Sequence, residues 1–477
     1  MIIIAVPLIP ILAALVALLN PRLDITRMMT VLGGIATLVL TLILADQVSQ
    51  HLRITVLPHW IGVDGLSALI LVLQGFVVLT ATVYSWGYMK RVTALHPRRQ
   101  QQFYVNFNLF LASLFMVPIF LQPALTWVAV ELTTVLSVFL VGFDNTPQAL
   151  EAAWKYAVIT IMGATVAVLG IFLLLWGLLA LHVSIQTWSA LTTAASEMPV
   201  DQLKIAFVLI FIGFGTKVGI VPMHTWLPDA HSQAPTPVCA LLSGIEVGTI
   251  LYVIMRLWPV FEQIPGGFAQ DWALIFGLIS VGTAAFLMIQ VRDFKRLFAF
   301  STVEQMGIIL VGLGLGPAGH YAMLYQFLTH AVTKSLVFYS AGAVFLATST
   351  LDIASVKGLI RISPVAAGSL LLSGLAIAGA PPFAVFLSEL AVFRASLLSG
   401  HIIVLVLLLV FLALAFFGIL RHLNQMIFGQ PSHPRITLPR SVTLTLVIGW
   451  IPVLVLGLYL PASVHHLLTL TTLTLRR

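Results

Sequence analysis

Charge is what this chain of 477 residues has least of. Only 8% of its residues are Asp, Glu, Lys or Arg, about a third of the ~25% usual in a soluble protein. A water-soluble globular body is excluded on that ground. Cysteine is nearly absent too: a single one, Cys239, rules out a disulfide framework and a cysteine-ligated iron–sulfur cluster. There is no separate basic domain. The net charge of +7 is spread over short segments between apolar runs, so no nucleic-acid partner is expected. No haem, flavin, quinone or nucleotide motif is visible, and no metal-ligand cluster. The expectation is therefore no cofactor and no redox chemistry in this chain itself. Met1 to Leu19 lacks a basic leading region and a small-residue cleavage site, and reads as a retained first helix rather than a signal peptide.

What is there is apolar sequence. Hydrophobic residues make up 60% of the chain and the mean hydropathy is +1.07. Runs long enough to cross a bilayer, at ~20 residues each, recur from end to end. They are expected near 2–20, 27–46, 64–88, 104–121, 123–143, 150–180, 203–234, 236–256, 272–291, 299–315, 320–348, 364–398, 402–427 and 441–461. That predicts an all-α polytopic membrane protein of about fourteen crossings, forming one integral membrane domain in the lipid bilayer.

Orientation follows from the basic residues. With the N-terminus outside, the inner loops hold Arg22, Arg27, Lys90, Arg91, Arg98, Arg99, Arg292, Lys295, Arg296, Lys357, Arg361, Arg421, Arg435 and Arg440. The outer side holds Arg53, Lys204, Arg256, Arg394, Arg476 and Arg477. That excess on one side places both termini on the outer face of a cell inner membrane.

The chain is organised around Ile212 to Ser243, IGFGTKVGIVPMHTWLPDAHSQAPTPVCALLS. It opens as an apolar helix, carries Lys217, and then breaks at Pro222, Pro228, Pro235 and Pro237, each of which lacks a backbone donor. His224, Asp229 and His231 fall in the broken part. Irregular backbone at bilayer depth survives only where protein or water surrounds it, so a lysine beside it points to function.

Three basic residues, Lys155, Lys217 and Lys334, remain inside the expected spans, with four acids, Glu131, Glu246, Glu304 and Glu389. Unpaired against lipid, these seven would cost on the order of 20 kcal/mol. They must pair, meet water or face the interior. Lys155 and Glu131 lie near helix ends and have the alternative of reaching the interface.

An internal repeat is also present. EAAWKYAVITIMGA (151–164) and HAVTKSLVFYSAGA (330–343) each place Gly-Ala eight residues after a lysine. Each lysine helix follows a glutamate helix, with Glu131 and Glu304 respectively. Each is followed by a proline-broken helix, at Pro222 and at Pro381-Pro382. Crossings 4–8 (104–256) and 9–13 (272–428) therefore read as two five-helix units, after helices 1–3 (1–103) and before a last helix (441–461). Five being odd, the second unit must be inverted, the pattern of a transport site at a repeat interface.

GTKVGIVPMHTWLPDAHSQAPTPVCALLSG, RDFKRLFAFSTVEQMGI, HAVTKSLVFYSAG and LAIAGAPPFAVFLSEL together resemble the antiporter-like, proton-translocating membrane subunits. These occur in respiratory complex I, membrane-bound hydrogenases and multisubunit cation/proton antiporters. EAAWKY, DFKRL with STVEQMG, and APPFAVFLSEL look most like the F subunit of hydrogenase-4 and formate hydrogenlyase complexes. The resemblance implies a helix-5 glutamate paired with a helix-7 lysine, here Glu131 and Lys217. It also implies a central helix-8 residue, a helix-11 histidine or lysine (His330, Lys334) and a helix-12 exit residue (Glu389). This chain departs from the pattern twice: Glu246 stands where many members have lysine, and Glu304 where many have histidine.

The expected chemistry is proton transfer through a file of Glu131, Lys217, Glu246, Lys334 with His330, and Glu389. Glu131 close to Lys217 would hold a proton there, and Glu131 drawn away would release it, with Lys155 as a competing partner. His224 and His231 are candidates for an access path or for stabilising the break. Asp229 is expected to cap the resumed helix. Three functional classes follow: an energy-converting subunit moving H+ beside other membrane subunits and a soluble redox module, an Mrp-like Na+/H+ antiporter subunit, or a membrane subunit of an inorganic-carbon uptake complex.

Overall fold

The computed structural model describes residues 1–20, 22–93 and 96–475; Arg476 and Arg477, which entered the orientation argument, lie outside them. Twenty α-helices form the body of the described residues. The first six are α1 (Ile2–Leu19), α2 (Leu23–His51), α3 (Gly65–Val92), α4 (Pro97–Met116), α5 (Pro123–Val141) and α6 (Pro147–Ala180). The first broken crossing and its successor follow as α7 (Trp188–Ala194), α8 (Val200–Val218), α9 (Trp226–Gln233), α10 (Thr236–Leu241) and α11 (Val247–Phe261). The second half holds α12 (Phe268–Gln290), α13 (Phe294–Gly314), α14 (His320–Thr348), α15 (Leu359–Ile362), α16 (Pro364–Ile377) and α17 (Ala384–Leu398). Last come α18 (Ile402–Ile427), α19 (Arg440–Leu458) and α20 (Ala462–Thr474).

Among the described residues, thirteen stretches are long and apolar enough to cross a membrane. Counting α16 and α17 as one broken crossing gives fourteen. The expected bounds 320–348 and 402–427 coincide with α14 and α18. Four elements have no counterpart in the expectation: the short helices α7 and α15, the terminal helix α20, and a hairpin. The hairpin pairs β1 (Arg53–Leu57) antiparallel with β2 (Ile61–Asp64), Arg53 opposite Asp64.

Burial is graded around the bundle. The 18-residue windows that define α10–α11, α13 and α14 as spans are 94–100% buried, while those of α2 and α18 are 28% buried. The centre is thus α10–α11, α13 and α14, wrapped by helices that face outward. Glycine lets α6 and α8 meet closely. Gly163, Gly170 and Gly177 recur every seven residues on α6, and a Cβ at each would fall within 3 Å of α8 or the segment just before it. Small residues at such a seam let helix backbones approach.

Three of the four prolines placed in the first break lie beyond it: Pro235 is the N-cap of α10. Pro228 and Pro237 sit in the first turns of α9 and α10, where the missing N–H has no intrahelical partner to lose. The break itself is Gly219 to Pro222. Gly219 ends α8 at φ +83°, a left-handed turn that glycine adopts without a Cβ clash. The second break, Ala378 to Phe383, contains Gly379 at φ +77°. Peptide bonds Val221–Pro222 and Pro381–Pro382 are cis.

The basic residues need a correction. Arg27, Arg256 and Lys295, assigned to loops, are buried near the ends of α2, α11 and α13. Each is satisfied there. Arg27 bonds Asp24 and Gln100, Lys295 donates to the Ala234 carbonyl at 3.0 Å, and Arg256 forms a bidentate pair with Asp64. The interior therefore holds more charge than the apolar runs imply, because a polar residue at a helix end can turn inward to a partner.

Candidate functional site

Lys217 lies one residue before the end of α8, and its helix is stopped by Gly219. Its ammonium nitrogen is 2.6 Å from Glu131 Oε1 and donates also to the Val130 carbonyl at 3.2 Å. Glu131 is on α5, so the pair ties the broken crossing to the helix before α6. The lysine is buried, with 3% of its side chain exposed, whereas Glu131 retains 18%. A buried ion pair of this kind is costly to leave half-made, so its two partners hold one another in place.

Glu246 follows on the other side of the break. The crossing that begins at Thr236 widens into a π-turn over Leu242–Glu246 before α11 resumes. Such turns displace side chains from the regular helical positions and recur at functional sites. Glu246 Oε1 accepts from Tyr156 Oη at 3.1 Å and from Ser137 Oγ at 3.4 Å, and those two hydroxyls are 2.7 Å apart. Its Oε2 is buried without a partner. Hydroxyls and not a flanking lysine hold Glu246, and no salt bridge reaches it among the described residues.

The same π-turn meets the second half. His330 Nε2, on α14, lies 3.1 Å from the Ser243 carbonyl, so Nε2 carries the proton and Nδ1, which has no partner, is a bare acceptor. Ser243 Oγ also bonds Thr302 on α13 at 2.6 Å. One helical turn beyond His330, Lys334 donates to the Phe298 carbonyl at 2.9 Å and to Ser301 Oγ. No salt bridge joins Lys334 to Glu304 among the described residues, where Glu304 is buried with its Oε2 unpartnered. Residues next to these groups in sequence make further polar contacts: Gln326 donates to Gln305 at 2.6 Å and Thr329 bonds Ser388 at 2.7 Å. Ser388 precedes Glu389, whose Oε2 lies against Gly379 at the second break, where a Cβ would come within 2.1 Å of it.

Glu131 and Lys217 thus meet beside the first break and Glu389 lies against the second, while His330 and Lys334 are held by backbone carbonyls and the Ser301 hydroxyl. Other candidates do not join them. Lys155 is 47% exposed and bonds Glu151 at 2.6 Å and Asp229 at 3.3 Å; it does not reach Glu131, so its role as competing partner is corrected in favour of the helix-end placement. Asp229 caps no helix among the described residues. It lies inside the first turn of α9 and bridges Lys155 to Arg296, the latter at 2.7 Å. His231 is buried, stacks on Phe338 at 5.0 Å between centroids and has no partner at either nitrogen. His224 is half-buried in the turn Met223–Thr225, 6.3 Å from the Phe300 ring. Among the described residues no group of His, Cys, Asp and Glu is arranged to hold a metal ion.

The hydroxyls and amides of this file were not singled out from the sequence. Tyr156, Gln305, Thr329 and Ser388 each neighbour a charged or histidine candidate by one position, and that adjacency is the available signal. Serine and threonine in membrane helices bond their own preceding turn, as Thr133 does to Val130, so their presence alone carries little information.

The fold and site define a polytopic helical membrane protein whose interior carries a file of ionisable groups between two broken helices. The chain belongs to the family described as NADH:quinone oxidoreductase/Mrp antiporter, TM, which matches residues 123–416. It is 32% identical over 410 residues to the Hydrogenase-4 component F homolog of Methylacidiphilum infernorum, covering 84% of this chain and 86% of that one. It is 30% identical to the chloroplastic NAD(P)H-quinone oxidoreductase subunit 5 of Chaetosphaeridium globosum, covering 80% of this chain and 61% of that protein. It is 31% identical to Na(+)/H(+) antiporter subunit A1 of Staphylococcus aureus, covering 70% of this chain and 43% of that protein. Its fold is also that of a chain in the archaeal membrane-bound sulfane sulfur reductase, with a TM-score of 0.90 at 22% identity over 100% of this chain and 97% of that one. A chain of the Mrp complex from Dietzia sp. DQ12-45-1b gives a TM-score of 0.86 at 19% identity, over 99% and 96%.

Proposed function

We propose that this chain is the proton-translocating, antiporter-like subunit of a redox-driven complex in a cell inner membrane. The observation that carries the reading is the buried Glu131–Lys217 pair at 2.6 Å against the first helix break, continued by Glu246, His330, Lys334, Glu304 and Glu389. Relatives named as a hydrogenase-4 component and a quinone oxidoreductase subunit support a redox module as the source of drive. The chain's own part is to hold and hand on a proton: Glu131 keeps Lys217 charged while the pair is closed, and opening the pair releases the proton toward Glu246. From there His330 and Lys334 lie across the π-turn, and Glu389 beside the second break is the exit group. Both termini lie on the outer face in this reading.

The test is ion uptake into vesicles carrying the assembled complex, driven by its own electron donor. Lys217→Ala should leave assembly intact and remove proton uptake; undiminished uptake would overturn the assignment. Uptake that requires sodium and survives a protonophore would instead assign Na+ as the ion moved.

A further inference from the structure

Polar groups continue beyond Glu246 along α11. Glu246 closes the π-turn from which α11 begins, and Thr249, Tyr252 and Arg256 follow at helical spacing. The Thr249 hydroxyl accepts from the Gln74 amide of α3 at 3.0 Å, and the same amide donates to the Leu114 carbonyl at 2.9 Å. Gln74 is wholly buried, and its Oε1 has no partner. Farther along, Tyr252 Oη lies 3.1 Å from Ser67 Oγ of α3 and donates to the Pro118 carbonyl at 3.2 Å. Leu114 and Pro118 are four residues apart, so about one helical turn, ~6 Å, separates the two rungs. One bridging water spans such a gap.

Arg256 closes this column. Its guanidinium donates to Tyr252 Oη at 2.9 Å, to Ser67 Oγ at 2.6 Å and to both oxygens of Asp64. Beyond it, on the side of the β1–β2 hairpin, lies a cavity of about 260 Å³ lined in part by Asp64, Arg256, Arg53, Thr187 and Ser189. That is room for several waters. Packing alone does not call for the arrangement. Leucine at position 74 would fill similar space without stranding a buried acceptor, which is destabilising. Glu246 Oε2 is likewise buried without a partner. A line of polar groups from that carboxyl to a cavity has the form of a passage lined for water. A guanidinium set across it stays charged and is an electrostatic barrier to a proton.

We infer that α3 and α11 enclose a second passage for protons, from Glu246 past Thr249, Gln74, Ser67 and Tyr252 to the cavity on the hairpin side, and that Arg256 is the gate that holds it shut. Water within the passage carries the proton, and the side chains orient that water. The assignment rests on Glu246 as a proton-carrying group, and sets this outlet apart from the one beside Glu389.

Passive proton leak tests it. Vesicles holding the assembled complex, without electron donor, are loaded with a pH-sensitive dye and given a pH step while valinomycin and potassium clamp the potential. Arg256→Gln should leak about 10-fold faster per complex than the parent, a barrier lower by ~1.4 kcal/mol. Should the carboxylate left behind prevent assembly, Arg256→Gln combined with Asp64→Asn removes it, and the same leak is expected. Adding Gln74→Leu, or separately Thr249→Val, should return the leak to the parent rate. A tight membrane in the assembled gate variants overturns the inference. So does a leak that survives both plugs, since it then comes from loosened packing. Lys217→Ala in the leaking background separates this inference from the reading beneath it. If the plugs stop the leak and Lys217→Ala does not, the passage stands and Lys217 is not its source of protons.

Discussion

The carbonyl of Ser243 and the imidazole of His330 meet at 3.1 Å, three residues before Glu246 in one π-turn. The two halves of the chain are joined through that turn. On one side of it Glu246 takes the hydroxyls of Tyr156 and Ser137; on the other, His330 and Thr302 bond Ser243. A regular helix would rotate these groups away from one another, so the extra residue in the turn is what brings both halves to one point.

Removing the ammonium of Lys217 takes out the titrating group at some cost in stability, which the partly exposed Glu131 limits by taking up a proton. Lys217→Ala should lower proton flux per assembled complex by roughly 100-fold, the low end of what a positioned proton-transfer group contributes. Lys217→Arg should fail nearly as badly, because guanidinium does not deprotonate in proteins. Glu131→Gln should likewise collapse flux, with Glu131→Asp retaining part. Flux in vesicles, divided by the amount of complex on a native gel, is the measurement; normal flux in Glu131→Gln would show that another acid holds the Lys217 proton.

Tyr156→Phe withdraws one of the two hydroxyls that hold Glu246 Oε1. Leaving a buried acceptor short of a donor costs ~1–3 kcal/mol, so thermal stability should fall measurably and flux should fall with it. Glu246→Gln separates gating from support: loss of flux at nearly unchanged stability is expected, and Glu246→Lys should be worse because it adds a like charge near Lys217. Normal flux with a lowered melting temperature in Glu246→Gln would reject the gate.

His330 both donates at Nε2 and presents a free lone pair at Nδ1. His330→Gln keeps an amide donor for the Ser243 carbonyl but cannot pick up and release a proton. Melting behaviour close to the parent, with flux largely lost, is the expected result. Should the glutamine variant pump normally, His330 serves only as a hydrogen-bond donor to the turn.

Asp64 immediately precedes the first residue of α3 and caps that helix, accepting from Ser67 N at 3.1 Å. Burial pushes its carboxyl up, but the Arg256 guanidinium and its hydrogen bonds more than offset this, and the group ends below the ordinary aspartate range. A carboxyl depressed in the folded state adds stability above its unfolded value and loses it as pH falls through the folded one. Arg256→Leu leaves that carboxylate largely buried and unpaired, a loss of ~3–5 kcal/mol. The stability deficit of the variant against the parent should shrink as pH falls, because protonation costs the parent its Asp64–Arg256 pair but relieves the unpaired buried carboxylate of the variant; adding Asp64→Asn should recover part of the lost stability. Melting curves of the purified complex across pH check both; unchanged acid sensitivity in Arg256→Leu would show that Asp64 does not depend on this pair.

Residue chemistry along the chain determined a great deal here. Scarce charge and apolar runs dictate a helical membrane body, because in lipid each backbone group must be satisfied within its own segment. Pro222 and Pro381-Pro382 mark the breaks, since proline offers no donor. Isolated ionisable residues at membrane depth stand out against an apolar background, which is why Glu131, Lys217, Glu246, His330, Lys334 and Glu389 were legible. Partner choice was not. Lys155 turns to Glu151 and Asp229 instead of Glu131, Arg256 reaches back 192 residues to Asp64, and Glu246 rests on hydroxyls of α5 and α6. Nor was the hairpin β1–β2, whose short strands carry too weak an alternation to stand out beside long apolar helices. A side chain's partner is set by which helix packs beside it and at what rotation, and that is fixed by close contacts such as the glycine seam of α6 on α8. Spacing along one helix carries no record of it, so only the tertiary structure decided which of the buried charges are neighbours.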